Sequence, residues 1–255
     1  MSIQISGLSN QPAFYIPKHI AITMDGNGRW GRQQGFSRSK GHYEGAKTME
    51  KVIDSCLEFG VEIVTLYAFS SENWSRPNEE VNYLMNLPIR FFKQKLPIFM
   101  KKGIQIIVSG DLSTVPRNTR EVLRRAIEKT KNNDRITVNF AFNYGGRDEI
   151  LRAAQQIIQD VQNNEINIED INEQLFTNYL YTSNLPDPEL FIRTGGEKRM
   201  SNFLLWQAAS AELYFTDIYF PDFDKKHLLQ ALYEFNRRKQ AQANESFYDT
   251  RKQVY

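Results

Sequence analysis

Apolar positions along this chain follow two rhythms that take turns. Short runs rich in β-branched and aromatic residues, His19–Met24, Val61–Phe69, Ile104–Ser109, Ile136–Phe142 and Leu190–Ile192, read as strands. Between them apolar residues recur every three or four positions, the spacing of amphipathic helices, over His42–Phe59, Glu79–Lys101, Pro116–Lys131 and 147–161. The first of these carries Ala46, Met49, Val52, Ile53, Cys56 and Leu57 and stops at Gly60. The second has Leu84, Leu87, Phe91, Phe92, Leu96 and Phe99 on one side. Pro88 and Pro97 lie inside its pattern, where kinks or breaks are expected. A short helix over 168–180 and a last one over Lys225–Arg238 complete the set, while Phe203–Phe215 mixes both rhythms. Strands alternating with helices predict an α/β fold, a single domain with a central, mainly parallel sheet flanked by helices.

That domain is expected over residues 18–239. A flexible leader, 1–17, carries Pro12 and Pro17 and precedes it; a polar stretch without periodicity, 240–255, follows and is expected to be disordered. The 32 basic and 30 acidic residues leave a net charge of +2, too balanced to argue for a nucleic-acid partner. A single cysteine, Cys56, rules out an internal disulfide. No run reaches the ~18 uncharged apolar residues of a membrane span. Met1–Pro12 lacks the basic and apolar regions of a signal peptide, so a cytoplasmic location is expected.

In parallel sheets ligands sit at the carboxyl ends of strands, and three polar loops leave strands on that side. The first, Asp25-Gly26-Asn27-Gly28-Arg29-Trp30-Gly31, contains the dinucleotide pattern G-x-G-x-x-G. It lacks the acid that such a site needs at the end of the next strand, and it opens with a carboxylate. An acid facing phosphates makes sense only with a divalent cation between them. Gly31 reads as incidental to that task, and a mere structural turn is the plain alternative. The second loop, Ser70-Ser71-Glu72-Asn73-Trp74-Ser75-Arg76, reads as a lid. The third places Arg193, Arg199 and Ser201 around Gly195 and Gly196, an anion-binding set of guanidiniums, a hydroxyl and freed backbone N–H groups. Arg38 and His42 follow the first loop and suit phosphate contact. Glu212, alone in an apolar stretch, is either capped by a partner or a metal ligand.

These residues, with Gly41-His42, Tyr67–Pro77, Asn143-Tyr144-Gly145-Gly146-Arg147 and Ile192–Gln207, resemble the cis-prenyltransferases, and the resemblance runs from His19 to Phe235. It implies condensation of isopentenyl diphosphate onto an allylic diphosphate such as farnesyl diphosphate, with Mg²⁺, a homodimer, an apolar substrate tunnel and transient contact with a membrane surface. By position it implies that Asp25 assists departure of the allylic diphosphate, with Glu212 as second metal-associated carboxylate. Gly26, Asn27, Gly28, Arg29, Trp30, Arg38 and His42 would bind that diphosphate. Ser70, Ser71, Glu72, Asn73, Trp74 and Arg76 would form the mobile loop, with Asn73 orienting isopentenyl diphosphate for proton loss. Arg193, Arg199, Met200 and Ser201 would hold the diphosphate of isopentenyl diphosphate. The sequence departs from bacterial relatives at Arg238-Lys239-Gln240-Ala241, where Arg-Phe-Gly-Gly is common, and at Ser210 and Phe220. Two alternatives stay open: a synthase of short or irregular products, and a non-catalytic partner subunit.

Overall fold

The computed structural model describes residues 14–252, with side chains to 241. Most of the expected leader, 1–13, and residues 253–255 lie outside that range. The strands are β1 (His19–Thr23), β2 (Ile63–Ser70), β3 (Ile104–Ser109), β4 (Ile136–Tyr144), β5 (Leu190–Arg193) and β6 (Glu212–Phe215). They form one sheet in the order β3-β4-β2-β1-β5-β6, every neighbouring pair parallel. β1 is central, and its Ile20, Ala21 and Ile22 are fully buried, as expected of a strand covered on both faces. The helices are α1 (Asn27–Gln33), α2 (Arg38–Phe59), α3 (Asn78–Lys102), α4 (Arg117–Thr130), α5 (Gly146–Gln162), α6 (Glu173–Asn178) and α7 (Lys225–Lys252).

The larger core cluster gathers Ile20, Ile22, Val64 and Leu66 with Val52 and Ile53 of α2, Phe91 and Phe99 of α3, and Leu232 of α7. Alternate residues point the other way. Ala21, Ala141 and Phe191 pack on Phe203, which stacks on Tyr67 at 4.3 Å between ring centroids. The mixed segment before β6 thus supplies the plug of the second core and the sixth strand.

Three expectations change. α3 is one unbroken helix through Pro88 and Pro97; each proline removes one backbone hydrogen bond, and packing of its apolar side carries the helix through both. α7 continues to Lys252, beyond the expected end at Arg238 and through most of the stretch expected to be disordered. Gln, Ala, Asn, Glu and Lys continue it without a glycine or proline to stop it. Of the leader, residues 14–17 are tied down: the Tyr15 backbone N–H donates to Asn236 (2.8 Å), and its hydroxyl donates to Glu189 (2.7 Å).

Candidate active site

The carboxyl ends of β1, β2 and β5 open into one polar cleft of about 410 Å³. Gly26 turns the chain out of β1 with φ 98°, a left-handed conformation open to glycine, and starts α1. Gly31 closes that turn on the next element: a Cβ there would lie 2.6 Å from the Ser37 carbonyl oxygen. The third glycine of the pattern therefore serves the packing of α1 against the start of α2.

Asp25 stands at the mouth of β1, where β5 brings Arg193 beside it. Arg193 is 3% exposed and donates from one terminal nitrogen to Asp25 Oδ2 (2.9 Å). Its other terminal nitrogen donates to Ser201 Oγ (2.6 Å) and to the Arg199 carbonyl. Its Nε is buried and has no partner among the described residues. A buried guanidinium with a donor left over is prepared for one more acceptor. The other Asp25 oxygen accepts from the Gly26 N–H (2.7 Å) and lies 3.6 Å from Arg29. Arg29 also reaches Glu197 (3.2 Å), which pairs with Arg199. Thr194, fully buried, locks the floor: its hydroxyl accepts from the Asp25 N–H (3.0 Å) and donates to the Asp25 carbonyl (2.9 Å).

Across the cleft one carboxylate gathers two guanidiniums and an imidazole. Glu80, in the first turn of α3, accepts both bonds of an Arg38 fork (3.0 Å each), one from Arg76 (3.0 Å), and faces His42 Nε2 at 3.2 Å. Burial by itself raises the Glu80 carboxyl; Arg38, Arg76 and His42 outweigh it and hold it down at about 2. Burial depresses the His42 imidazole, against the opposing pull of Glu80. Sequence reasoning missed Glu80. Its signal was the spacing Arg76 to Glu80, four residues across the start of a helix.

Between β2 and α3 the chain makes a short 3₁₀ turn, Ser71–Ser75, capped reciprocally. Ser70 Oγ accepts from the Glu72 N–H (3.2 Å), and Asn73 Oδ1 accepts from the Ser70 N–H (3.2 Å). Ser70, Glu72, Asn73 and Arg76 line the cleft together with Asp25, Gly26, Asn27, Gly28, Arg29, Arg38, His42, Arg193, Arg199 and Ser201. Tyr67 lines it too; burial pushes its phenol up to about 12, so it stays a neutral donor.

Five expected residues are placed elsewhere. Ser71 donates to Asp148 on α5 (2.7 Å), and the Trp74 indole donates to Asn143 Oδ1 (2.7 Å) while packing on Phe69, so both anchor the loop from behind. Trp30 donates to Asp222 (2.8 Å) on the outer side of α1. Met200 packs on the second core cluster. Glu212 opens β6 in register with Leu190, and Leu190 pairs with Ile20, five residues before Asp25. At ~3.3 Å per residue along the strands and ~4.8 Å between them, it is on the order of 15–20 Å from Asp25 within one chain. It pairs with Arg238 (3.3 Å). Within one chain the sheet register, invisible in sequence, sets apart the two carboxylates that the resemblance joined around one metal.

The cleft does not end in polar groups. Met24, Asn27, His42, Ala68 and Leu84 line it and also line an apolar channel that continues past Ala46, Phe91, Phe92 and Phe140. Charged donor groups thus open directly into a greasy passage between the sheet and α2 and α3. Among the described residues no helix is long and apolar enough to cross a membrane.

The comparisons with known proteins agree with this geometry. A family model described as "Putative undecaprenyl diphosphate synthase" matches residues 23–243. The chain is 52% identical over 227 residues to an isoprenyl transferase of Streptococcus mutans, covering 88% of this chain and 91% of that one. It is 47% identical over 230 residues to the ditrans,polycis-undecaprenyl-diphosphate synthase ((2E,6E)-farnesyl-diphosphate specific) of Micrococcus luteus, covering 90% and 92%. Lavandulyl diphosphate synthase from Lavandula x intermedia, solved with dimethylallyl diphosphate, matches with a TM-score of 0.84 at 32% identity, over 86% of this chain and 95% of that one. With its parallel α/β sheet and its cleft at the strand ends, the chain belongs to the undecaprenyl diphosphate synthase family of isoprenyl transferases and is a prenyltransferase.

Proposed function

We propose that this protein condenses isopentenyl diphosphate with an allylic diphosphate, farnesyl diphosphate, and extends it to a long-chain Z-polyprenyl diphosphate such as undecaprenyl diphosphate, the precursor of the cell-wall lipid carrier. One observation carries the reading: a cleft rich in guanidiniums shares five wall residues with an apolar channel. That is the negative of an amphiphile with a diphosphate head and a hydrocarbon tail. The identity to the farnesyl-specific synthase (47%) exceeds that to the lavandulyl synthase (32%), which favours the long Z-chain over an irregular product.

In this reading Gly26, Asn27, Gly28 and Arg29, with Arg38 and His42, hold the allylic diphosphate at the start of α1, where backbone N–H groups point outward. Arg193, Arg199 and Ser201 hold the diphosphate of isopentenyl diphosphate, and the spare Nε of Arg193 is one of the donors. Asn73, an amide and a weak base, orients that substrate while its proton leaves toward a stronger acceptor, the departing diphosphate among them. Glu72 and Arg76 border the same opening.

The donor set suits Mg²⁺ as this ion is usually held, by one or two carboxylates with substrate phosphates completing the shell. In this reading Asp25, which lines the cleft, would hold it, while Glu212 of the same chain lies outside the cleft lining. When bound, Mg²⁺ neutralises charge that builds on the diphosphate as the allylic C–O bond ionises. Arg193 and Arg29 then keep the Asp25 oxygens aimed at that point.

We place the working protein in a homodimer that touches a membrane surface transiently at product release. The open edge of β6 supports the dimer: Leu213, Tyr214 and Phe215 face a groove of about 640 Å³ shared with Tyr233 of α7. The test is the full chain with Mg²⁺, farnesyl diphosphate and labelled isopentenyl diphosphate, followed by dephosphorylation and chromatography. A ladder ending at a long prenol is expected, and absence of any extended product overturns the proposal.

A further inference from the structure

We infer that the groove between α3 and α4 is a docking surface for an anionic lipid bilayer. The groove encloses about 540 Å³ on the outer side of α3. Its floor is apolar, made by Phe92, Leu96 and Pro97 of α3 and Val122 of α4, with Met100 standing 41% exposed at one end. Its rim is basic. Lys93, Arg125 and Lys129 are all exposed, and none forms an ion pair among the described residues. The acids of α4 are already engaged: Glu121 with Arg117 and Glu128 with Lys131.

An apolar trough edged by unpaired cations is an energetically poor surface to leave in water. A hydrocarbon floor needs an apolar occupant, and the rim needs several phosphates at once, spaced along about one helical turn. The bilayer interface supplies both, because acyl chains lie directly beneath a plane of anionic headgroups. A free phosphate would satisfy the rim and leave the floor wet.

The position of the groove gives it a use. Phe92, 3% exposed, lines the apolar channel on one side and this groove on the other. Phe92 thus borders both the passage behind the diphosphate cleft and the surface placed against lipid. A polyprenyl chain that outgrows the channel therefore meets the bilayer through the α3–α4 seam, and this step rests on the proposed reaction. The docking itself does not.

The test is sedimentation of the full chain with vesicles of phosphatidylcholine alone and of phosphatidylcholine containing phosphatidylglycerol. Binding to the anionic vesicles, weakened by salt and absent with phosphatidylcholine alone, is expected. The triple variant Lys93→Glu, Arg125→Glu, Lys129→Glu is expected to lower partitioning on the order of 100-fold, since each basic residue near such a surface contributes several-fold. Met100→Gln lowers it a few-fold without changing charge. A control reversal at Lys18, Lys51 and Lys226, also exposed, binds like the unaltered chain. Equal loss in the control, or full binding by the rim variant, overturns the inference, because net charge or another surface would then be responsible. Circular dichroism verifies that the variants fold. Turnover of soluble substrates is measured in parallel: its absence with vesicle binding intact counts against the proposed reaction, and the reverse result counts against the docking surface.

Discussion

The two walls of the cleft use the same residue types in opposite proportion. On the β5 wall Arg193 is buried, spends one terminal nitrogen on Asp25 and the other on Ser201 and the Arg199 carbonyl, and keeps Nε in reserve. On the α3 wall a single carboxylate, Glu80, takes up Arg38, Arg76 and His42 together. The first wall is a fixed donor waiting for an acceptor. The second is a set of donors already occupied, on side chains that are about a third to a half exposed for the two arginines. A diphosphate arriving at the first wall meets prepared geometry, whereas at the second it has to share Arg38 and Arg76 with Glu80. Preorganisation of donors where charge develops is the larger lever on rate, so the β5 wall should dominate turnover and the α3 wall should tune binding and stability.

The comparison breaks first at Asp25. Asp25→Asn keeps the shape and an acceptor for Arg193 but removes the charge, and kcat should fall about 10³-fold or more with the circular dichroism spectrum unchanged. Near-normal steady-state rates would remove Asp25 from its role. Arg193→Lys comes next. It retains a positive charge but cannot reproduce the fork to Asp25 and Ser201, so kcat/KM for isopentenyl diphosphate should drop by about 10²-fold. A loss equal for both substrates would mean that the two walls are not separate.

Glu80→Gln tests the other side. The KM for the allylic diphosphate should change by about 10-fold or less, with kcat moved less than by either change on the β5 wall. Stability should fall by about 1–2 kcal/mol, discounted from the full linkage value because two of its partners are partly exposed. The sign of the pH effect follows from the depressed carboxyl. Glu80 titrates near 2 in the folded chain and at 4.5 when free, so its contribution is complete above 4.5 and is lost as pH falls toward 2. Urea unfolding of the two proteins should converge across that window; a constant offset would assign the variant's loss to packing. The smallest effect is expected at Trp74→Phe. It removes the indole bond to Asn143 and keeps the ring against Phe69, which should lower stability by about 1 kcal/mol and turnover by a few-fold at most. A 100-fold loss of turnover would put Trp74 on the substrate instead of behind the loop.

Much of this is legible in the sequence. The strand runs, the helix periods and the three loops after β1, β2 and β5 are local in sequence, and a parallel sheet brings the carboxyl ends of its strands to one side. Asp25, Arg29, Arg193, Arg199 and Ser201 therefore came together from pattern alone. Side-chain direction did not. Trp30 and Trp74 sit inside cleft-forming segments yet point to Asp222 and Asn143, because an indole N–H finds its best partner on the supporting layer. Thr194 and Glu80 were overlooked for the converse reason: a threonine beside two glycines and an acid in a first helical turn look ordinary until their partners are known.

The sequence by itself determined the order of elements, the polar loops and the family, since each depends on residues near one another in the chain. Tertiary structure alone decided which charges meet. Strand order placed β5 beside β1 and so gave Asp25 its buried arginine, while the register of β6 carried Glu212 to the far end of the sheet and gave it Arg238. Coulomb energies depend on separation in space, and separation across a sheet is set by pairing and register that no local pattern encodes.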